Sequence, residues 1–442
     1  TGPANQNPQC NGSPFPVFVV VKPTPNLSNT LLNDICSGTN FTYDPNLNLS
    51  PSSIYNANTV LTWTVTPNPN VSGWSNSVGT NNPTISQTLT NLTNTVQPMV
   101  YDVTATDTLS LCTSSLFTVT VNVQPTPTIQ AQTATVCSGN AFFITPSITN
   151  NQPSQIVPNG ILYSWPNPVS TPANLISGGS AQSNQVSISQ VLNIQPPIPP
   201  QFGTLVYNVT PSYPVSNNLT CNGQPFTVTV NVNPIPIIDT AFAQPDTICF
   251  GSISTLQAMG LPTLSPPNGI YNWTPAAQIS GAATGQTITT LPLYTTTTFI
   301  VTYTLPANLG SCQSQAYPVT VTVQAPPNIS TITAVETEFC VGGCTNITTN
   351  FVGAVAVDSV QWSTGQVTYF FPHSIQVCPN DTTTYTATAF LGGCNGNIAN
   401  ITLNVNADPL ISTQPYTDTT ICVGGTLPLS VQVLGGAGLP IY

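Results

Sequence analysis

Three sets of residues in this chain are of types that could do chemistry. They are twelve cysteines, ten aspartates of which six precede Ser or Thr, and a sparse acid–base set of Glu336, Glu338 and His373. The cysteines form two series. The first stands five times in the order hydrophobic–Cys–any–Gly: Ile35-Cys36-Ser37-Gly38, Val136-Cys137-Ser138-Gly139, Ile248-Cys249-Phe250-Gly251, Phe339-Cys340-Val341-Gly342 and Ile421-Cys422-Val423-Gly424. The second series precedes an aromatic residue and alternating valines. Cys10 leads to Phe15, Val17, Val19 and Val21, Cys112 to Phe117, Val119, Val121 and Val123, Cys221 to Phe226, Val228, Val230 and Val232, and Cys312 to Tyr317, Val319, Val321 and Val323. Cys394 leads more loosely to Ile401, Leu403 and Val405.

Cysteines at such a period can bond to one another or hold a metal. Taken within each repeat they give Cys36–Cys112, Cys137–Cys221, Cys249–Cys312 and Cys340–Cys394. The extra pair Cys344–Cys378 falls in the fourth repeat, and Cys10 and Cys422 are left for truncated neighbours. The alternative is a four-thiolate zinc site from Cys340, Cys344, Cys378 and Cys394. Only one repeat has such a set and no other repeat has a histidine, so disulfides account for the pattern better. Even cysteine numbers closing long loops point to an oxidising compartment, with each bridge contributing about 2–4 kcal/mol.

Catalysis finds little to work with. General acid–base chemistry wants paired carboxylates or a partnered histidine. The two glutamates precede Cys340 at a repeat boundary, and one histidine supplies no site that recurs between repeats. No carboxylate cluster suits calcium and no glycine loop suits phosphate, so no enzyme, cofactor or metal is expected.

The elements that must position the cysteines read as strands throughout. A period of roughly 80–110 residues is domain-sized. The expected divisions are 1–25 (the end of a repeat), 26–127, 128–236, 237–327, 328–409 and 410–442 (the start of a repeat). Both outer segments read as parts of repeats, which suggests a window from a longer polypeptide.

One tryptophan per full repeat (Trp63, Trp165, Trp273, Trp362) lies between the two cysteines, as a core residue on a central strand would. Trp74 is off this register and is a candidate exposed contact. A Tyr/Thr/Val run precedes the second cysteine, as in Val100-Tyr101-Asp102-Val103-Thr104, and should form a hairpin with the alternating valines. Asn159-Gly160 and Asn268-Gly269 are turn signals. Pro23-Thr24-Pro25, Pro125-Thr126-Pro127, Pro234-Ile235-Pro236 and Pro326-Pro327 stop the final strands, since proline donates nothing to a ladder. They should also stiffen the links between repeats. The fold class is all-β, a tandem array of two-layer sandwiches.

Composition narrows the partners. One Lys, one His, no Arg and twelve acids leave a net charge of −11. Only 3% of residues are charged, where about 25% is usual. Phosphate-mediated binding to nucleic acid has no cations to work with, and an anionic membrane surface is disfavoured equally. No apolar run reaches the roughly 20 residues of a spanning helix.

The Cys-x-Gly opening, the Trp strand and the closing Cys with its valines and Pro-x-Pro resemble the PKD-like, immunoglobulin-like repeats of very large bacterial surface adhesins. These include gliding-motility adhesins exported by type IX secretion. The fourth repeat is nearest, with Trp362-Ser363-Thr364-Gly365, Val377-Cys378-Pro379-Asn380-Asp381 and Gly392-Gly393-Cys394. The resemblance implies an extracellular, cell-surface stalk with one or two disulfides per repeat, whose partners are neighbouring repeats and a surface polysaccharide or substratum. It also gives meaning to the Asp-(Ser/Thr)-(small or aliphatic) sites, which are similar to an O-glycosylation signal. They make Thr108, Thr240, Thr247, Ser359, Thr382 and Thr419 candidate glycan acceptors. The competing reading is that Asp-Thr simply caps turns. Two other functions remain open: a carbohydrate-binding array attached to a polysaccharide-degrading protein, and a self-assembling fibre subunit that donates a strand to the next.

Overall fold

A computed structural model describes residues 14–47, 53–78, 82–147, 155–194, 200–215, 218–263, 269–353, 356–413, 420–428 and 432–434. Cys10, Asn268, Asp418 and Thr419 lie outside them. The chain divides into two compact units, Thr1–Pro234 and Ile235–Tyr442. Each contains two β-sandwiches of immunoglobulin-like type, so the array is all-β.

In the first repeat one sheet runs Thr30–Leu31, Phe117–Gln124, Gln97–Asp107, Thr59–Val65, with Ile35–Cys36 also on Phe117–Gln124. The facing sheet is Thr39–Tyr43, Ile85–Asn91, Val71–Ser72. The hairpin expected from the alternating valines pairs Tyr101 with Val119 and Val103 with Phe117. Its counterparts pair Tyr207 with Val228, Phe299 with Val319 and Tyr385 with Ile401. Period-two patterning then puts one face inside: Val119, Val121 and Val123 are fully buried, as are Val228, Val230 and Val232. The final strands Phe117–Gln124 and Phe226–Asn233 stop immediately before Pro125 and Pro234. Residues 15–21 carry the same pattern but belong to no strand, and Phe15, Val17, Val19 and Val21 are exposed.

The hydrophobic–Cys–x–Gly segment is a short strand lying parallel to the final strand of its own repeat. The register is conserved across all four: Cys36 opposite Gln124, Cys137 opposite Asn233, Cys249 opposite Gln324 and Cys340 opposite Asn406. The turn that follows needs its glycine. Gly38, Gly139, Gly251, Gly342 and Gly424 all have φ between 78° and 94°. The amides of Asn140, Ser252, Gly343 and Gly425 donate to the carbonyls of Cys137, Cys249, Cys340 and Cys422.

Trp63, Trp165, Trp273 and Trp362 are buried. Their indole N–H groups donate to Ser75 O (2.9 Å), Ser180 O (2.9 Å), Gly285 O (3.0 Å) and Thr368 Oγ1 (3.4 Å). In the first two repeats this is one end of a buried chain. The Tyr101 hydroxyl donates to Gln87 Oε1 at 2.8 Å, and Gln87 Nε2 donates to the same Ser75 carbonyl at 2.7 Å. Tyr207, Gln190 and Ser180 repeat it at 2.9 and 2.8 Å.

Burial pushes the Tyr163 phenol up to about 12 and raises Tyr101 and Tyr207 as well. A phenol whose folded pKa lies above its unfolded value favours the fold only while it is protonated. Stability from these tyrosines should therefore be intact below about pH 10, the unfolded value, and fall as pH climbs from there towards 12. Circular dichroism of the isolated 26–236 pair between pH 8 and 12 should show the loss beginning above 10. A flat profile to pH 12 would contradict it.

Candidate functional site

The opening and hairpin cysteines do not bond to each other within a repeat. Cys36 is joined to Cys221 and Cys249 to Cys394, each with Cα atoms 5.4 Å apart. Both bonds run from the opening cysteine of one repeat to the hairpin cysteine of the next. This corrects Cys36–Cys112, Cys137–Cys221, Cys249–Cys312 and Cys340–Cys394. Cys112 is half-buried and unbonded, and Cys340 and Cys422 are exposed and unbonded. Cys137 and Cys312 are also disulfide-bonded. Cys344–Cys378 forms within the fourth repeat, Cα to Cα 4.2 Å.

Strand geometry explains the correction. Cys340 pairs with Asn406 at one end of the thirteen-residue strand Cys394–Asn406, and Cys394 is its other end. At about 3.3 Å per residue they lie about 40 Å apart, whereas a disulfide needs Cα atoms within about 7 Å. The first repeat is similar: Cys36 sits opposite Gln124, the last residue of the final strand, and Cys112 precedes the first, Phe117. In each repeat the opening cysteine marks the exit end and the hairpin cysteine the entry end. In a tandem array the exit end of one repeat meets the entry end of the next, and there the bonds form.

Each stapled junction is packed. Pro125, Pro127 and Pro327 are buried. The Thr126 hydroxyl donates to the Ser37 carbonyl at 3.0 Å, and the Val157 amide donates to the Asn94 side chain across the first junction. At the second, Asn397 takes the Ile329 amide at 2.7 Å and returns a bond to its carbonyl at 2.9 Å. Both hairpin cysteines stand in Cys-Asn-Gly. A Cβ at Gly223 would lie 2.2 Å from the Pro127 carbonyl oxygen, and one at Gly396 1.8 Å from that of Pro327. Here glycine is required because the linker proline seats directly on the backbone.

The other sequence candidates scatter. A zinc site at Cys340, Cys344, Cys378 and Cys394 is overturned, since Cys344 and Cys378 are bonded to each other and Cys394 is bonded to Cys249. Among the described residues no three His, Cys, Asp or Glu side chains converge on a metal position. Trp74 is not an exposed contact: it is half-buried against the first repeat's core, with its N–H on the Val71 carbonyl at 3.0 Å.

Thr108, Thr240, Thr247 and Thr382 are exposed and Ser359 half-buried, spread over three repeats. The Asp107 carboxylate accepts from the Leu109 amide at 2.9 Å and from the Ser110 hydroxyl at 2.8 Å, which holds it below the usual carboxylate range. This is the turn-capping use of Asp-Thr. Asp358 accepts from the Gly392 amide at 2.7 Å. Glu336 and Glu338 are exposed, Glu338 on the edge strand Glu338–Cys340 and Glu336 in the link before it. His373 is buried, its Nδ1 3.1 Å from the Thr368 carbonyl.

Beside His373 is a cavity of about 590 Å³ lined by Asn350, Phe351, Val357 and Phe371. Phe371 is exposed, as are Tyr369 and Phe370 before it in the chain. Three adjacent aromatics before Pro372 are the signal that marks this place in the sequence.

Residues 33–127 and 134–236 match the PKD-like domain family. No curated protein sequence matches the chain. Similar solved structures include immunoglobulin domains 1–5 of Sidekick-1, 14% identical over 93% of this chain and 84% of that one, with a TM-score of 0.26. The N-terminal eight Ig domains of Down Syndrome Cell Adhesion Molecule are 12% identical over 87% and 60%, at 0.30. The human Desmocollin-1 ectodomain is 9% identical over 90% and 83%, at 0.27. Scores this low carry no functional argument. The family match covers the first two repeats, and the fold of the array is all-β with immunoglobulin-like sandwiches.

Proposed function

We propose that this chain is a load-bearing stretch of a large extracellular bacterial adhesin, of the kind displayed on the cell surface by type IX secretion for attachment or gliding. The observation that carries this reading is the placing of disulfides across the junctions between repeats. A bond there leaves each sandwich core unchanged and instead fixes how one repeat follows another, which serves a stalk and serves no catalytic pocket. Disulfides persist outside the cytoplasm, which agrees with the surface location. With one Lys and no Arg, solubility rests on Asn, Thr, Ser and Gln, and O-glycans on the exposed Thr108, Thr240, Thr247 and Thr382 would add to it.

The test is surface labelling. Antibody against residues 26–236 should stain intact, unpermeabilised cells, and sugar mass should appear on peptides containing Thr240 or Thr247. Staining only after permeabilisation would sink the surface reading, and bare peptides would sink the glycan reading alone.

A second reading, sugar binding, is favoured at one place. The exposed Phe371 lines an amide-bearing cavity, which suits the apolar face of a sugar ring, and its exposed chain neighbours Tyr369 and Phe370 add aromatic surface. Retention of the 328–409 repeat on insoluble polysaccharide, lost on Phe371→Ala, would support it.

A further inference from the structure

We propose that Cys340 is one half of a further staple, and that its partner is the hairpin cysteine of a following repeat of a Cys-x-Ser kind. The inference rests on the stalk reading above and names what the exit end of the fourth repeat is built to take.

Cys340 occupies a place that is bonded in its sister repeats. It lies opposite the last residue of the final strand, as Cys36, Cys137 and Cys249 do. The turn after it is the same. Gly342 has φ 88°, beside 82°, 87° and 78° at Gly38, Gly139 and Gly251. The Gly343 amide donates to the Cys340 carbonyl at 3.1 Å, where Asn140 and Ser252 donate to Cys137 and Cys249 at 3.0 and 2.9 Å. All three sisters are disulfide-bonded and half-buried, whereas Cys340 is exposed and unbonded. The linker agrees with the cysteine: Pro125, Pro127 and Pro327 are buried at the stapled junctions, and Pro409 is exposed.

The kind of partner follows from the hairpin cysteines, which come in two forms. Glycine stands two places on in Cys10-Asn11-Gly12, Cys221-Asn222-Gly223 and Cys394-Asn395-Gly396, and serine in Cys112-Thr113-Ser114 and Cys312-Gln313-Ser314. Along the chain the forms alternate without exception: Gly, Ser, Gly, Ser, Gly. The two serine hairpins match bond for bond. The Ser114 hydroxyl accepts from the Ala105 amide at 2.9 Å and donates to the Ser115 carbonyl at 2.8 Å. The Ser314 hydroxyl accepts from the Tyr303 amide and donates to the Gln315 carbonyl, both at 2.9 Å. The carbonyls of Cys112 and Cys312 accept from the amides of Asp107 and Leu305 at 3.0 and 2.8 Å. The serine thus holds its cysteine in one fixed place, and in that place Cys312 is disulfide-bonded. The fourth repeat carries the glycine form, so the repeat that opens at Ile421-Cys422-Val423-Gly424 is due the serine form. Closing the staple turns two thiols into one S–S bond. Two electrons and two protons pass to a disulfide oxidant, which is reduced to its dithiol.

The test uses the native protein taken from cells, alkylated with N-ethylmaleimide before any reduction and then digested with pepsin. The Cys340 peptide should escape alkylation and be found linked to a peptide reading Cys-x-Ser followed by alternating valines. In the Cys340→Ser protein that Cys-x-Ser peptide should become alkylated, with Cys249–Cys394 unchanged. Alkylated Cys340 in the unaltered protein overturns the proposal. So does a link from Cys340 to Cys422, to a Cys-Asn-Gly peptide, or to Cys112 of a second copy. Cys36–Cys221 in the same digest separates the two readings. If Cys340 alone is alkylated, this inference falls and the adhesin reading stands, whereas alkylation of Cys36 and Cys221 as well would sink the oxidising, extracellular compartment itself.

Discussion

Trp273→Ala should unfold the third repeat preferentially, costing about 3–5 kcal/mol. Trp273 is, with Trp362, among the largest fully buried side chains of the described residues and packs among Leu256, Phe299, Val301 and Val321. Its loss leaves a cavity between two sheets that strand pairing prevents from closing, and deprives the Gly285 carbonyl of its 3.0 Å donor. Since a whole domain is stable by only about 5–15 kcal/mol, this is a large fraction. Hydrogen exchange read by peptide should show faster exchange across 255–304, while the core strands of 59–123 keep their protection. A cost below about 1 kcal/mol would mean that the indole is not a keystone of its sandwich.

The second large effect falls on a residue with no side chain. Gly396→Val should block seating of Pro327, whose carbonyl oxygen stands 1.8 Å from where a Cβ would be. Backbone cannot swing aside as a side chain does, so the junction must open. Beyond an overpacking cost of about 1–3 kcal/mol, Cys394 is carried away from Cys249, and a disulfide needs both Cα atoms within about 7 Å. Thiol labelling of the unreduced variant should therefore find Cys249 and Cys394 reactive, with Cys344–Cys378 still formed. The same substitution at Gly365, where nothing lies within 4 Å, should strain only its own turn, whose φ is +84°, and leave the staple intact. Unreactive Cys249 in the Gly396 variant would mean that the junction is not what positions the bond.

How much of this was legible in the residues depends on how local each feature is. Alternating valines declared the final strand and its buried face, the prolines declared where it stops, and the Tyr/Thr/Val run declared its hairpin partner. These follow from a two-residue period and a missing amide, which sequence displays directly. The buried tryptophans also followed, since each recurs at one place between two cysteines.

The disulfide partners did not, because they depend on a parallel pairing between segments some ninety residues apart in the first repeat. Nothing near Ile35-Cys36 says that it lies against Val123-Gln124, and without that register the two cysteines of one repeat look like natural partners. The clue was the glycine after the hairpin cysteine in Cys221-Asn222-Gly223 and Cys394-Asn395-Gly396, which signals a backbone approach. The chain Tyr101–Gln87–Ser75–Trp63 was hidden for a similar reason. Its members come from separate strands and a loop, and Gln87 looks like a surface residue until the sheets are stacked.

Disulfide mapping of the native chain tests the inter-repeat staples most directly. With Lys22-Pro23 the one basic site, trypsin is useless, so unreduced protein would be cut with pepsin and an Asp-directed protease and the linked peptides read by mass spectrometry. The account predicts peptides joining Cys36 to Cys221 and Cys249 to Cys394, with Cys112 and Cys340 absent from both. Peptides joining Cys36 to Cys112 or Cys340 to Cys394 would contradict it, and would return the bonds to the interior of each repeat.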